Sequence, residues 1–289
     1  MQKTTIEYLT HTWNPLAMRC TPVSAGCANC WHIRMCNRLA KNPKTEEWLR
    51  AIYAGGGAAE PKDARAPLRY KNPSVIGVQF MGDIAHWSVR LMDFLCIMDT
   101  MHKAPWHTYL LLTKRSQQLA ELVSQWRNEA QGTLGSHIWL GVSVEDQVAA
   151  DERIPPLLQI PAAHHWLSYE PALGPIDITG ALYGYPEHTG GVYRVTREMA
   201  LDAGDLRLEG EPYGEEQWEQ AVPPLQFVVA GAETGPGARP AELDWFRDVR
   251  DQCKTAGVPF FMKAVSGKGP IPDDLMVREL PWGSKDKLS

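Results

Sequence analysis

The 289-residue sequence predicts an α/β fold, a full or partial (β/α) barrel of about six or seven βα units with an N-terminal cysteine loop. Three observations carry that expectation. Short apolar runs rich in Val, Ile, Leu and aromatics recur along the chain, as strands covered on both faces require. Segments with apolar residues at helical spacing separate them, so strand and helix alternate at intervals of roughly 25 to 35 residues. No Gly-x-Gly-x-x-Gly opens the first helix, as it would in a dinucleotide-binding doubly wound sheet.

The elements follow in order. An initial strand falls near TIEYLTHTWN, and the next run is SVIGVQFMGDIAH, Ser74 to His86. TYLLLTKR (Thr108 to Arg115), HIWLGVSVED (His137 to Asp146) and HHWLSYEPALGP (His164 to Pro175) come next. LQFVVAGAETGPGARP (Leu225 to Pro240) and VPFFMKAV (Val258 to Val265) complete the set. Between them, VRLMDFLCIMDTMHKA, SQQLAELVSQWRNEA and AELDWFRDVRDQCKTAG have helical spacing, and Gly257 stands where the last should end.

Two segments break the rhythm within what reads as one domain over 1–289. Residues 37–73 form an excursion of helix and loop, with GGGAAEP as a loop within it. Residues from about 177 to 224 form an acidic insertion, either over the barrel mouth or out in solvent.

Composition narrows the function class. With 44% hydrophobic and 22% charged residues the chain reads as globular, and no run of about eighteen apolar residues could span a membrane. The N-terminus lacks the apolar core of a secretory signal, so a cytoplasmic location is expected. A net charge of -5 argues against wholesale nucleic-acid binding. The stretch from Arg34 to Lys71, however, holds nine bases and four acids. It is either a solvated helix and loop or a surface for phosphate groups.

Polar residues cluster where the apolar runs end. Asp83, Lys114, Arg115, Glu145, Glu170, Glu233 and Lys263 all close such runs, with His86, Ser168 and Thr234 beside them. In a barrel these positions form the C-terminal rim, which carries the chemistry. His164 and His165 begin a strand and belong at the opposite end.

Four of the six cysteines lie between Arg19 and Cys36, in RCTPVSAGCANCWHIRMC. Cys96 and Cys253 sit alone in apolar stretches and read as buried core residues. Clustered cysteines in a reducing compartment bind metal or do redox chemistry more often than they form disulfides. A four-cysteine zinc site would use all the clustered thiolates, but only Cys27-x2-Cys30 has the usual hook spacing. A redox dithiol at Cys27 and Cys30 would need a thioredoxin-like context. An iron–sulfur cluster on Cys20, Cys27 and Cys30 suits the Gly, Pro, Ser and Asn residues of the loop, and Cys36 then falls on the helix leaving it.

TWNPLAMRCTPVSAGCANCW resembles the opening motif of a mostly phage and bacterial family with a radical-SAM-like three-cysteine motif, catalogued as being of unknown function. The resemblance runs almost the whole chain, through LLLTKR, LGVSVEDQ, LSYEPALGPID, VVAGAETGPGARP and PFFMK. The chain departs from the pattern at Trp31, where Tyr is usual, at Ala232, where Gly is usual, and in a longer segment before the sixth strand. The resemblance implies a radical-SAM-like barrel with a [4Fe–4S] cluster on Cys20, Cys27 and Cys30 and S-adenosylmethionine (SAM) as cosubstrate. With SAM as cosubstrate, its amine calls for an acid, for which Asp83 is placed, and its carboxylate for a cation, for which Lys114 or Arg115, beside Thr113, is placed. Ser143 and Glu145 would meet ribose hydroxyls, leaving Glu170, Glu233 and Lys263 as catalytic residues toward substrate. An external one-electron donor of flavodoxin or ferredoxin type, a neighbour-encoded partner protein and a nucleotide or nucleic-acid substrate are further expectations. The competing expectation is a non-catalytic zinc or iron–sulfur module in phage DNA metabolism.

Overall fold

A computed structural model of the chain describes residues 1–183 and 225–283. The strands are β1 (Gln2–Lys3), β2 (His11–Trp13), β3 (Leu16–Ala17), β4 (Glu60–Pro61), β5 (Val75–Val78) and β6 (Thr108–Thr113). They continue with β7 (Ile138–Val144), β8 (His164–Tyr169), β9 (Leu225–Gly231) and β10 (Phe260–Ala264). The helices are α1 (Trp31–Lys41), α2 (Glu47–Ala54), α3 (Ala66–Arg69), α4 (Leu91–Lys103) and α5 (Ser116–Ala130). α6 (Gln147–Leu158), α7 (Thr179–Tyr183) and α8 (Leu243–Ala256) follow. Most of the segment from 177 to 224, expected as an acidic insertion, lies outside the described residues.

The main sheet has eight strands in the order β1-β2-β5-β6-β7-β8-β9-β10. Every neighbour pair from β2 to β10 is parallel, and β1 alone runs antiparallel, against β2. The order never reverses, so the sheet has no switch point of the doubly wound kind. Right-handed crossovers along a sheet that always advances in one direction place the helices on one face. Hydrogen bonding does not close the sheet among the described residues, so the fold is a mostly parallel open α/β sheet.

Strand alternation separates two cores. Ile76, Val78, Tyr109, Leu111, Leu140, Val142, Leu167, Tyr169, Val228 and Met262 point to the helices and pack with Phe94, Leu119, Ile154 and Phe246. The intervening residues Val75, Leu110, Trp139, Trp166, Phe227, Val229 and Phe261 line the other face. Tyr8 plugs that face, with ring centroids 5.6 Å from Phe261 and 6.2 Å from both Trp166 and Phe227. Trp282 closes on it from the C-terminal segment, 5.3 Å from Phe227. The face is therefore filled with aromatics toward the strand N-termini.

Toward the C-termini the same face carries small and polar residues. Gly141 marks the change. The Trp166 indole lies across it, donating to the Leu111 carbonyl at 2.9 Å, and a Cβ on Gly141 would stand 2.3 Å from that ring nitrogen. We expect Gly141→Ala to cost about 1–3 kcal/mol, as overpacking of a filled core does, read as a lowered urea midpoint at unchanged m-value.

Several elements match the sequence pattern closely. α5 covers SQQLAELVSQWRNEA, and α8 ends at Gly257, whose φ of 66° is left-handed. Others do not. Of Ser74 to His86 only Val75–Val78 is strand, because the residues beyond it turn over the rim. The initial segment forms two short strands, and Glu60–Pro61 of the GGGAAEP loop pairs with Leu16–Ala17. α6 is not announced by the pattern, since Pro155 and Pro156 fall inside it; Asp146 caps it by accepting from the Ala149 N–H at 2.9 Å. Cys253 is buried as expected, but Cys96 is half-buried, because Phe94, Ile97, Met98 and Met101 take the core face of α4. Among the described residues no helix is long and apolar enough to cross a membrane.

Candidate functional site

The loop from Arg19 to Cys30 lies over the C-terminal ends of the parallel strands. A 3-10 turn at Ala25–Cys27 bends it, and α1 starts directly after Cys30. All six cysteines are free; Cys20, Cys27 and Cys30 are half-buried. Cys36 differs. It is 0% exposed on α1, its sulfur 3.5 Å from His32 Nε2 and 3.8 Å from the Met18 carbonyl oxygen.

Strand-end charges hold this loop in place. Arg115 donates from Nη1 to Cys20 Sγ at 3.6 Å and from Nη2 to the Thr21 carbonyl at 2.8 Å. Asp83 orients Arg115 from 2.7 Å and also accepts from Thr113 Oγ1 at 2.6 Å, from the Lys114 N–H at 3.1 Å and from the Ala85 N–H at 3.0 Å. Its carboxylate is thus committed to holding Arg115. Burial and the nearby Asp83 charge push the Cys20 thiol up to about 11, with Arg115 opposing them. On the same side the Thr21 N–H donates to His86 Nε2 at 3.2 Å, and Ser88 closes on His86 Nδ1 at 2.7 Å. Burial, then Arg115, brings His86 down to about 4, so its ring is neutral at pH 7.

A second group forms at β6 and β7. Lys114 donates to Ser143 Oγ at 2.9 Å and to Glu145 Oε2 at 2.6 Å, and Arg153 of α6 grips Glu145 at 3.0 and 3.2 Å. Burial raises the Glu145 carboxyl, but Lys114 and the bonds from Arg153 outweigh it, leaving it at about 2. Gly26 rests on this group. A Cβ there would stand 2.8 Å from Glu145 Oε2 and 3.1 Å from Lys114 Nζ, so the backbone beside Cys27 approaches the ion pair as only glycine allows.

Two more pairs complete the rim. Lys263 donates to Glu170 Oε1 at 2.6 Å, and Ser143 Oγ donates to the Glu170 carbonyl at 2.8 Å. Glu233 accepts from Asn29 at 2.9 Å and from the Arg239 backbone and guanidinium, while Arg239 also donates to the Ala25 carbonyl at 3.0 Å. Burial raises Glu233, yet the Arg239 bonds hold it at about 2.

The residues expected on the rim are therefore gathered beneath the cysteine loop, in four groups. Asp83, Thr113 and Arg115 form one, and Lys114, Ser143 and Glu145 the next. Glu170 with Lys263 and Glu233 with Asn29 are the others. Sequence reading missed Arg153 and Arg239, and gave Asn29 only as a residue of the cysteine loop. Arg153 falls in the unannounced helix, while Asn29 and Arg239 sit in loops whose meeting no local pattern encodes. His164 lies at the start of β8, stacked 4.2 Å from Trp139 and far along the strand from this rim. Among the described residues no three His, Cys, Asp or Glu side chains converge closely enough to hold a metal ion.

No match is found among curated proteins or among solved structures. The family described as "Protein of unknown function (DUF5131)" matches residues 3–273, nearly the full length, and the chain belongs to it.

Proposed function

We propose that the protein is a radical SAM enzyme built on a partial (β/α) barrel, with a [4Fe–4S] cluster on Cys20, Cys27 and Cys30 and SAM bound beside it. One observation carries this reading: three half-buried free thiols on a single loop, docked over the polar C-terminal half of a parallel sheet whose other half is filled with aromatics. A ligand there meets charged groups above a closed floor.

The residues fit the group. The three thiols are free, half-buried and carried on one loop, and Arg115 donates to the Cys20 sulfur, a donor set that suits thiolate ligation of a cluster. Cys36, buried against His32 and the Met18 carbonyl, is set apart from the other three, which favours three ligands over a four-thiolate zinc site. When bound, cluster and SAM supply reductive sulfonium cleavage and hydrogen abstraction, given one electron from a donor of flavodoxin or ferredoxin type.

The chain's own part is binding and orientation. Arg115 ties the cysteine loop to β6, and Asp83 fixes the angle of Arg115. Lys114 offers a cation to the SAM carboxylate, while Ser143 and Glu145 hold that cation in place. Glu170 and Lys263 face substrate as a pair able to hold or move a proton.

The test is anaerobic purification, reconstitution with iron and sulfide, metal and sulfide counts, and an assay for 5′-deoxyadenosine after reduction with SAM. Four irons per chain, absorption near ~400 nm and 5′-deoxyadenosine are expected. Stoichiometric zinc with no iron uptake would sink the proposal. Lys114→Met should weaken SAM binding by about 1–3 kcal/mol, measured by equilibrium dialysis on reconstituted protein.

A further inference from the structure

α1 begins at the residue after Cys30 and carries a stripe that the site above does not use. Trp31, Arg34, Arg38 and Lys41 are all exposed, and their spacing of three, four and three residues puts them on one side of the helix. The stripe runs about 15 Å at 1.5 Å per residue. Trp31, 57% exposed, stands at its cysteine end.

Acids outnumber bases, 34 to 29. Among the described residues, the arginines from Arg69 onward are ion-paired, Arg127 apart, whereas Arg19, Arg50 and Arg65 are not. Arg34 and Arg38 have no acidic partner among them, nor does Lys41. Arg34 donates to the neutral Asn29 side chain at 2.6 Å, which orients the guanidinium and leaves its charge uncompensated. Solvation of the helix C-terminus accounts for Arg38 and Lys41. It does not account for Arg34, in a first turn that carries no acid and where a cation opposes the helix dipole. An external anion along the whole stripe accounts for all three.

Two other bases of the Arg34 to Lys71 stretch are engaged elsewhere. Arg69 is paired with Asp63 at 2.5 Å, and Lys71 donates to the Leu68 carbonyl while lying over the Trp106 ring. On α1 itself the three cations form a single row. A linear row of cations ending in an exposed indole suits a polyanion that also has flat apolar faces to stack.

We infer that the exposed face of α1 binds single-stranded nucleic acid, with backbone phosphates along Arg34, Arg38 and Lys41 and an unpaired base stacked on Trp31, next to Cys30. As an account of substrate this rests on the radical SAM reading; as an account of binding it does not. A duplex would keep its bases stacked and leave Trp31 unused, whereas chemistry on a base requires that base to be out of the stack.

The experiment is fluorescence anisotropy of a labelled single-stranded oligodeoxynucleotide, its RNA equivalent and the matching duplex. The full chain is titrated as purified and after anaerobic reconstitution, across a salt series. Binding should favour single strands in both preparations and weaken steeply with salt. Arg38→Gln/Lys41→Gln should lower the log–log salt slope by about 1.4, at roughly 0.7 per phosphate contact. Adding Arg34→Gln should bring the loss to about 2. Trp31→Ala should weaken single-strand binding about 5- to 100-fold and leave the slope intact. Arg247→Gln/Arg250→Gln on α8 should change neither. Equal affinity for duplex with no effect of Trp31, equal displacement by poly-glutamate, or no binding at low salt would each overturn the inference. Strand binding without 5′-deoxyadenosine formation would instead uphold it while removing the radical chemistry.

Discussion

Replacing Cys20, Cys27 or Cys30 with alanine is expected to abolish iron–sulfur incorporation, while Cys36→Ala leaves it within error of the parent protein. The contrast follows from placement. The first three thiols are half-buried on the loop over the rim; the fourth is fully buried on α1 against His32. In the proposed site, losing one of the three thiolates would leave a cluster with too few protein ligands to be retained. Cys36→Ala removes only a small buried group, at a stability cost of about 1–2 kcal/mol. Iron and sulfide counts with visible absorption read the outcome for all four variants. Equal loss in all four would point to four thiolate ligands and to the zinc-type alternative.

The second large effect concerns the buried triad of Lys114, Glu145 and Arg153. Glu145 has its side chain 1% exposed, and its folded pKa of about 2 lies below the ordinary 4.5. A depressed carboxylate contributes stability above its unfolded pKa and loses it as pH falls through the folded value. At about 1.36 kcal/mol per unit the contribution is about 3 kcal/mol at pH 7, lost between about pH 5 and pH 2. Arg153→Met leaves Glu145 with Lys114 alone and should destabilise by about 3 kcal/mol, since a buried charge is left half-compensated. The double variant Glu145→Gln/Arg153→Met should recover part of that loss and flatten the acid limb. Urea titrations of the cluster-free chain from pH 3 to pH 7 measure both. An acid limb unchanged by the double variant would show that other carboxylates dominate it.

Both effects depend on contacts that are unevenly legible along the chain. Periodicity is local, and it was enough for the alternation of strand and helix. α5 and α8 coincide with their amphipathic stretches, and the inner and outer faces of β6 to β9 follow the period of two. The rim was readable for the same reason, because a parallel strand that is apolar throughout exposes its first polar residue where it leaves the sheet. Lys114, Glu145, Glu170 and Glu233 follow their strands within two residues, while Asp83 comes five beyond β5, after the buried Gln79.

Which rim residue meets which was not local, and only the tertiary structure decided it. Asp83 and Arg115 are 32 residues apart, Glu170 and Lys263 are 93 apart, and Asn29 and Glu233 are 204 apart. Each charge could have gone to ligand or to protein from its sequence position alone. Packing brought it within reach of an opposite charge, and burial made leaving either one unpaired costly. That is why Asp83, expected to face the amine of SAM, is found bonded to Arg115. The separation of Cys36 from the other cysteines has the same origin. Its spacing resembled theirs, but the helix that begins after Cys30 carries it inward, and solvent exposure divides one cluster of four thiols into three and one.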